Sequence, residues 1–225
     1  MRERVVIFDG GAGTTFQRAG LTAADYGGDD LEGCHELLNL TRPDVVEALH
    51  TSFLEVGCDA IETNTFGGFG VPLGEYGIAD RAYELSRAGA EIAVAAARAY
   101  STRERPRWVA GSIGPGTKFP SLGQIRYAEL RDLYEMQARG LIDGGADLLL
   151  IETQFDLLGL KAAVNGCRRA IEATGISLPI QTQVTIELTG RMLPGTEIGA
   201  AIAAIEPLGV DVIGINCATG PSEMY

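Results

Sequence analysis

Gly144-Gly145-Ala146-Asp147-Leu148-Leu149-Leu150-Ile151-Glu152-Thr153 passes from a glycine helix stop, through an aspartate, into a short apolar run that ends on a carboxylate. The same turn recurs as Val56-Gly57-Cys58-Asp59 before residues 60–64 and as Leu208-Gly209-Val210-Asp211 before residues 212–217. Glycine ends a helix by adopting the left-handed backbone that other side chains resist. Further short apolar runs, rich in β-branched residues, occupy 5–9, 108–113 and 179–185, each with the length and composition of a buried strand. Helical patterns lie between them at 43–56, with Thr41 as its expected cap, and at 79–100, 127–143, 157–174 and 195–208.

Alternating helices and fully buried strands imply a parallel sheet, closed as a barrel or open and doubly wound. An open dinucleotide fold needs a G-x-G-x-x-G turn after its first strand, and Asp9-Gly10-Gly11-Ala12-Gly13-Thr14 has its glycines at the wrong offsets. Polar residues gather instead at the carboxyl ends of the strands: Asp9, Glu62-Thr63-Asn64, Ser112, Glu152-Thr153, Gln183 with Thr185, and Asn216-Cys217. In a (β/α)8 barrel those ends converge on the active-site face. The expectation is an α/β chain built as a (β/α)8 TIM-type barrel, one domain over residues 1–225, with only about the first six βα units present and the domain C-terminally incomplete.

Hydrophobic residues make up 46% of the 225 and charged residues 21%, ordinary globular usage that supports one sizeable core. The formal net charge of -12, without a Lys/Arg cluster, repels phosphate backbones and argues against nucleic acid as a partner. No segment reaches roughly 18 uninterrupted apolar residues, so no membrane partner is expected and the reading is cytoplasmic. Cys34, Cys58, Cys167 and Cys217 stand far apart with no CxxC pair, which suggests reduced thiols rather than a zinc ribbon or a disulfide framework.

The ordered motifs Asp9-Gly10-Gly11-Ala12-Gly13-Thr14, Asn39-Leu40-Thr41-Arg42-Pro43, Glu62-Thr63-Asn64-Thr65-Phe66, Gly111-Ser112-Ile113-Gly114-Pro115, Ile151-Glu152-Thr153 and Gly214-Ile215-Asn216-Cys217 resemble the homocysteine S-methyltransferase family. The pattern looks closest to the homocysteine-binding module of cobalamin-dependent methionine synthases, with betaine-homocysteine methyltransferases more distant. The resemblance implies a zinc-dependent S-methyltransferase module that binds homocysteine as a thiolate and accepts a methyl group to give methionine. Its partners would be homocysteine and a methyl donor or methyl-carrying domain; cobalamin would enter only through other domains.

The resemblance also implies a zinc ion held by three cysteine thiolates, of which Cys217 matches the first. The other two, from a Gly-Gly-Cys-Cys segment, are expected beyond the chain end. Thiolate-rich zinc with an open position lowers the pKa of a substrate thiol and holds it as a nucleophile. Taken alone, a cysteine ending an apolar strand is a packed small hydrophobe. Cys34 beside His35 is a poor metal pair, because adjacent residues in an extended loop point apart; Cys58 and Cys167 read as core.

Asp9 and Gly10 match the positions that meet the amino-acid end of homocysteine: a carboxylate pairs with an ammonium, and glycine amides hold a carboxylate. Without the resemblance they are a loop dipeptide. Glu152 takes the amino-binding role by resemblance, against the alternative of a salt bridge with a basic neighbour. Glu62, Thr63, Asn64 and Asn216 either orient substrate or tie the barrel mouth together. Two other functions compete. One is a non-catalytic truncated fragment that needs a second polypeptide to complete barrel and zinc site. The other is a Schiff-base aldolase barrel, for which Lys118 and Lys161 are poorly placed because neither ends a strand.

Overall fold

The computed structural model describes residues 4–220 and Ser222. Five parallel strands, β1 (Ala60–Glu62), β2 (Trp108–Ile113), β3 (Leu148–Gln154), β4 (Ile180–Val184) and β5 (Val212–Ile215), lie side by side in sequence order. Ahead of them, Phe8 bridges in parallel to Ala60, so residues around Phe8 hold a sixth strand position before β1. Sequential parallel order, with a helical connection at every step, is the winding of a (β/α)8 barrel. Among the described residues, β5 and the Phe8 segment have no further strand beside them, and Val5, Ile7 and Ile213 expose apolar side chains there.

Nine α-helices are described: α1 (Gly13–Arg18), α2 (Ala23–Tyr26), α3 (Leu38–Thr41), α4 (Pro43–Val56), α5 (Gly70–Glu75), α6 (Ala82–Tyr100), α7 (Tyr127–Asp143), α8 (Leu157–Thr174) and α9 (Ile198–Ile205). The main core lies between the strands and α6 to α8, with Ile61, Val109, Ile113, Leu149 and Ile151 facing Ala93, Leu141 and Leu160. Helices α7 and α8 approach closely through Gly166, where a β-carbon would stand 2.7 Å from the Arg131 carbonyl oxygen.

The recurring Gly-x-Asp turn acts as a clasp. The Asp59 amide donates to the Ile7 carbonyl at 2.7 Å while its Oδ2 accepts from the Ile7 amide at 3.0 Å. Asp147 does the same to Val109 (2.8 and 2.8 Å), and Asp211 to Ile180 (2.9 and 2.8 Å). Each aspartate thus satisfies an amide near the start of the preceding strand segment and sets the register at the amino end of the sheet. Arg4 pairs with Asp59 at 2.7 Å and holds that carboxyl down to about 2.

Three helix expectations need correction. Thr41 does not cap α4: it closes α3 and donates its hydroxyl to the Leu37 carbonyl at 3.0 Å, leaving Arg42 as the capping residue. The 79–100 helix opens as a 3-10 turn, Ala79–Arg81, before α6. The 195–208 pattern narrows to α9, followed by a 3-10 turn over Glu206–Leu208, because Pro207 offers no amide to continue the α-helix.

Candidate functional site

A cavity of about 330 Å³ opens at the carboxyl ends of the strands, at the small end of the range for small-molecule sites. Asp9, Glu62, Ser112, Glu152, Thr153 and Cys217 all line it, so five of the six strand ends singled out in the sequence converge, while Gln183 and Thr185 at the end of β4 are not among its lining residues. Gly10, Thr63 and Asn64 line it as well. Asn216 lies behind the wall, hydrogen-bonded to residues that face the cavity.

Each carboxylate is placed by backbone geometry. Asp9 ends the Phe8 segment, and both its oxygens accept from the Glu62 amide, at 3.1 and 3.0 Å. Glu62 is the last residue of β1. Glu152 is buried near the end of β3; Oε1 accepts from the Ser112 hydroxyl at 2.6 Å and Oε2 from the Asn216 amide nitrogen at 3.1 Å.

Burial, helped by the Glu152 charge, pushes the Asp9 carboxyl up to about 7. Burial first, then Glu152 and Asp9, pushes Glu62 up to about 9. Burial also raises Glu152, against the hydrogen bonds from Ser112, Thr153 and Asn216. Among the described residues no lysine or arginine lines the cavity or forms an ion pair with these three carboxylates. The salt-bridge alternative for Glu152 therefore has no basic neighbour to supply it. An acidic trio without a counter-ion is complementary to a cationic ligand.

The backbone around Glu152 is strained. The β3–β4 register slips between Ile151 and Gln154, and Thr153 takes φ 56°. A β-branched residue in the left-handed region costs on the order of 1–3 kcal/mol and persists only where neighbours enforce it. Cys217 and Ala218 share that conformation, at φ 57° and 60°. The turn leaves Cys217 exposed, with its Sγ 3.6 Å from the Thr153 hydroxyl.

Thr63 and Asn64 face the cavity and also tie its mouth. The Thr63 hydroxyl accepts from the Ser112 amide at 3.0 Å, and Asn64 Nδ2 donates to the His35 carbonyl at 2.7 Å and to Asn39 Oδ1 at 3.0 Å. The Glu36 carboxylate accepts from the Gly67 amide at 2.6 Å and pins the loop that carries Phe66.

His35, considered in the sequence only as a metal partner for Cys34, lines the cavity. Its ring lies 5.3 Å from Phe16, with Nδ1 3.2 Å from the Tyr26 hydroxyl, and burial lowers its pKa. It opens a short 3-10 turn, His35–Leu37, where no periodicity or strand end marks it. Cys34 turns away into the core, where burial pushes its thiol up to about 12. Cys58 and Cys167 are buried too, as expected of core cysteines.

For a thiolate metal centre the described residues offer one exposed candidate, Cys217, at the cavity wall. Among them no three His, Cys, Asp or Glu side chains cluster as a metal site. Cys217 thus fits as a single ligand, and further ligands would have to come from outside the described residues.

Fold and site together define a protein of the (β/α)8 barrel class whose pocket lies at the carboxyl ends of its strands, where barrel enzymes keep their active sites. The chain belongs to the homocysteine S-methyltransferase family: the family model described as "Homocysteine S-methyltransferase" matches residues 6–225. It is 54% identical over 224 residues to a methionine synthase of Mycobacterium tuberculosis and 53% identical over 224 residues to that of Mycobacterium leprae. Both matches cover 100% of this chain but 19% and 18% of the relatives, so the chain spans about a fifth of their length. In fold it is similar to the homocysteine methyltransferase MmuM of Escherichia coli. The metallated form of that protein superposes with a TM-score of 0.80 at 19% identity, over 99% of this chain and 78% of that one. The apo form gives 0.72 at 18% identity, over 98% and 74%.

Proposed function

We propose that residues 1–225 are a homocysteine-binding barrel domain that presents the homocysteine thiol to a methyl donor, giving methionine. The observation that carries this reading is the trio Asp9, Glu62 and Glu152 around one cavity without a basic partner among the described residues. The ammonium of an amino acid supplies the missing charge, with Glu152 as its main partner and Asp9 and Glu62 beside it. Amides of the Gly10-Gly11 turn hold the carboxylate, and the side chain runs toward Cys217.

Cys217 is the ligand this domain contributes to a zinc ion, with two further thiolates from outside these residues. Zinc, when bound, lowers the pKa of a thiol so that it is a nucleophile at neutral pH. The chain's own residues orient the substrate: the carboxylates fix the amino end, and Phe66 at the mouth shields the aliphatic part from water. In the transfer the substrate sulfur forms a bond to the methyl carbon as the bond between that carbon and the donor breaks. The donor, whether a cobalamin-carried methyl, a methylfolate or a small methylated compound, is delivered to the open mouth by another domain or from solution.

A second reading is favoured by the unpaired β5 edge among the described residues and by the single thiolate at the cavity. On it, the segment binds the amino acid but transfers methyl groups only once further βα units complete the barrel, in the same chain or a second one.

Calorimetric titration of the chain with L-homocysteine tests the proposal. Saturable one-site binding that releases protons as the ammonium displaces them from the raised carboxyls supports it. Absence of binding contradicts it.

A further inference from the structure

Asn216 spends its side chain entirely on the strand two places away. Its Oδ1 accepts from the Thr153 amide at 2.9 Å, and its Nδ2 donates to the Thr153 hydroxyl at 2.9 Å and to Glu152 Oε2 at 3.1 Å. Both amide hydrogens are therefore committed inside the protein. Its backbone is anchored separately on β4: the amide donates to the Val184 carbonyl at 3.2 Å, and the carbonyl accepts from the Thr185 hydroxyl at 3.2 Å. The carboxamide thus reaches across β4 to β3, where the register slips and Thr153 holds φ 56°. Thr153 is left facing the cavity, with its hydroxyl 3.6 Å from Cys217 Sγ.

A carboxylate in this place has two ways to turn. Without the Asn216 donor, Glu152 keeps the Ser112 bond on Oε1 and a long 3.4 Å contact from the Thr153 hydroxyl on Oε2. Without the Asn216 carboxamide the Thr153 amide loses its acceptor, and the slipped segment is held only from Gln154, whose carbonyl accepts from the Thr185 amide at 2.9 Å. Both losses loosen the orientation of Glu152, and Asn216, unlike Thr153, is not among the residues that line the cavity.

We propose that Asn216 and Thr153 are positioning residues: together they hold Glu152 in the orientation that receives a ligand ammonium, and they tie that carboxylate to the turn that carries Cys217. The inference rests on the proposed homocysteine reading and adds to it a division of labour. Glu152 meets the amino group; Asn216, previously a candidate for substrate contact, acts only through Glu152 and Thr153.

The test pairs two ligands with three variants of the full chain: L-homocysteine and 4-mercaptobutanoate, which is homocysteine without its amino group. N216A and T153V should each weaken L-homocysteine binding about tenfold, the worth of one hydrogen bond to a charged group. N216A, whose side chain lies outside the cavity lining, should change 4-mercaptobutanoate affinity by less than about twofold, because that ligand lacks the group Glu152 reads. T153S keeps the hydroxyl and should bind L-homocysteine as the wild type does; thermal unfolding shows that each variant is folded. Equal losses for both ligands would reduce the pair to a general structural role and overturn the proposal, as would undiminished L-homocysteine affinity in N216A. A wild-type chain that binds neither ligand removes the homocysteine reading itself, and the positioning role with it.

Discussion

Both oxygens of the Asp9 carboxylate accept the backbone amide of Glu62, at 3.1 and 3.0 Å, which ties the end of the first strand segment to the end of β1. That bond brings two carboxyl groups to the floor of one cavity, with Glu152 as a third. Asp9 at about 7 and Glu62 at about 9 bind protons in the folded chain that they release in the unfolded one. Their contribution to stability is complete below pH ~4 and is lost as pH rises, through about 7 for Asp9 and about 9 for Glu62. E62Q should therefore raise the unfolding temperature at pH 8 by roughly 2–4 °C, about 1 kcal/mol or more, with a smaller gain at pH 5. Thermal unfolding from pH 5 to 9 checks this; parallel curves for variant and wild type would remove the uncompensated-carboxylate account.

His50 poses the opposite problem at low pH. It is fully buried in α4, neither ring nitrogen has a hydrogen-bond partner among the described residues, and burial lowers its pKa to about 4. Unfolded chains take up the proton near pH ~6.5, so folding stability falls between there and about pH 4 and changes little from this group above pH 7. The loss amounts to about 3 kcal/mol across that window. H50F should show a stability advantage over wild type that widens as the pH drops from 7 to 4.5, measured by urea unfolding. A constant difference would mean that the ring is not the acid-sensitive group.

Close helix packing gives a paired prediction. At Gly166 an added methyl meets backbone atoms of α7, the Arg131 oxygen at 2.7 Å and the Glu135 nitrogen at 2.9 Å, so G166A should cost about 1–3 kcal/mol. At Gly199 in α9 nothing lies within 4 Å, so G199A should stabilise the chain by roughly 0.5 kcal/mol. Chemical denaturation of the two variants should give shifts of opposite sign.

Because the cavity of the described residues carries a single exposed thiol, the 225-residue chain should hold zinc only weakly. Supplying further thiolate ligands in cis or as a second chain should bring the content to about one zinc per barrel. Tight, stoichiometric zinc in the 225-residue chain, retained in C217S, would assign the metal to Cys34, His35, Cys58 or Cys167.

The alternation of strand and helix was legible because the same glycine and aspartate recur before three strands, and the structure shows why: the aspartates clasp the neighbouring strand. The carboxylates of the cavity were legible because they end apolar runs, where an uncompensated charge stands out. Thr41 resembles a cap because a hydroxyl residue stands two positions before Pro43, whereas Leu38–Thr41 is already helical. His35 was hidden in a single 3-10 turn, and the left-handed backbone of Thr153 contradicts its β-branched side chain. The Asn216 carboxamide that binds the Thr153 amide lies 63 residues away in the chain, a separation that local pattern does not bridge.

On the proposed function, Glu152 pairs with the amino group of a bound amino acid. Isothermal titration of wild type and E152Q with L-homocysteine tests it most directly. The wild type should bind saturably, and E152Q, which keeps the side-chain shape but removes the charge, should bind about 10-fold or more weakly. Equal affinity in the two proteins would contradict it.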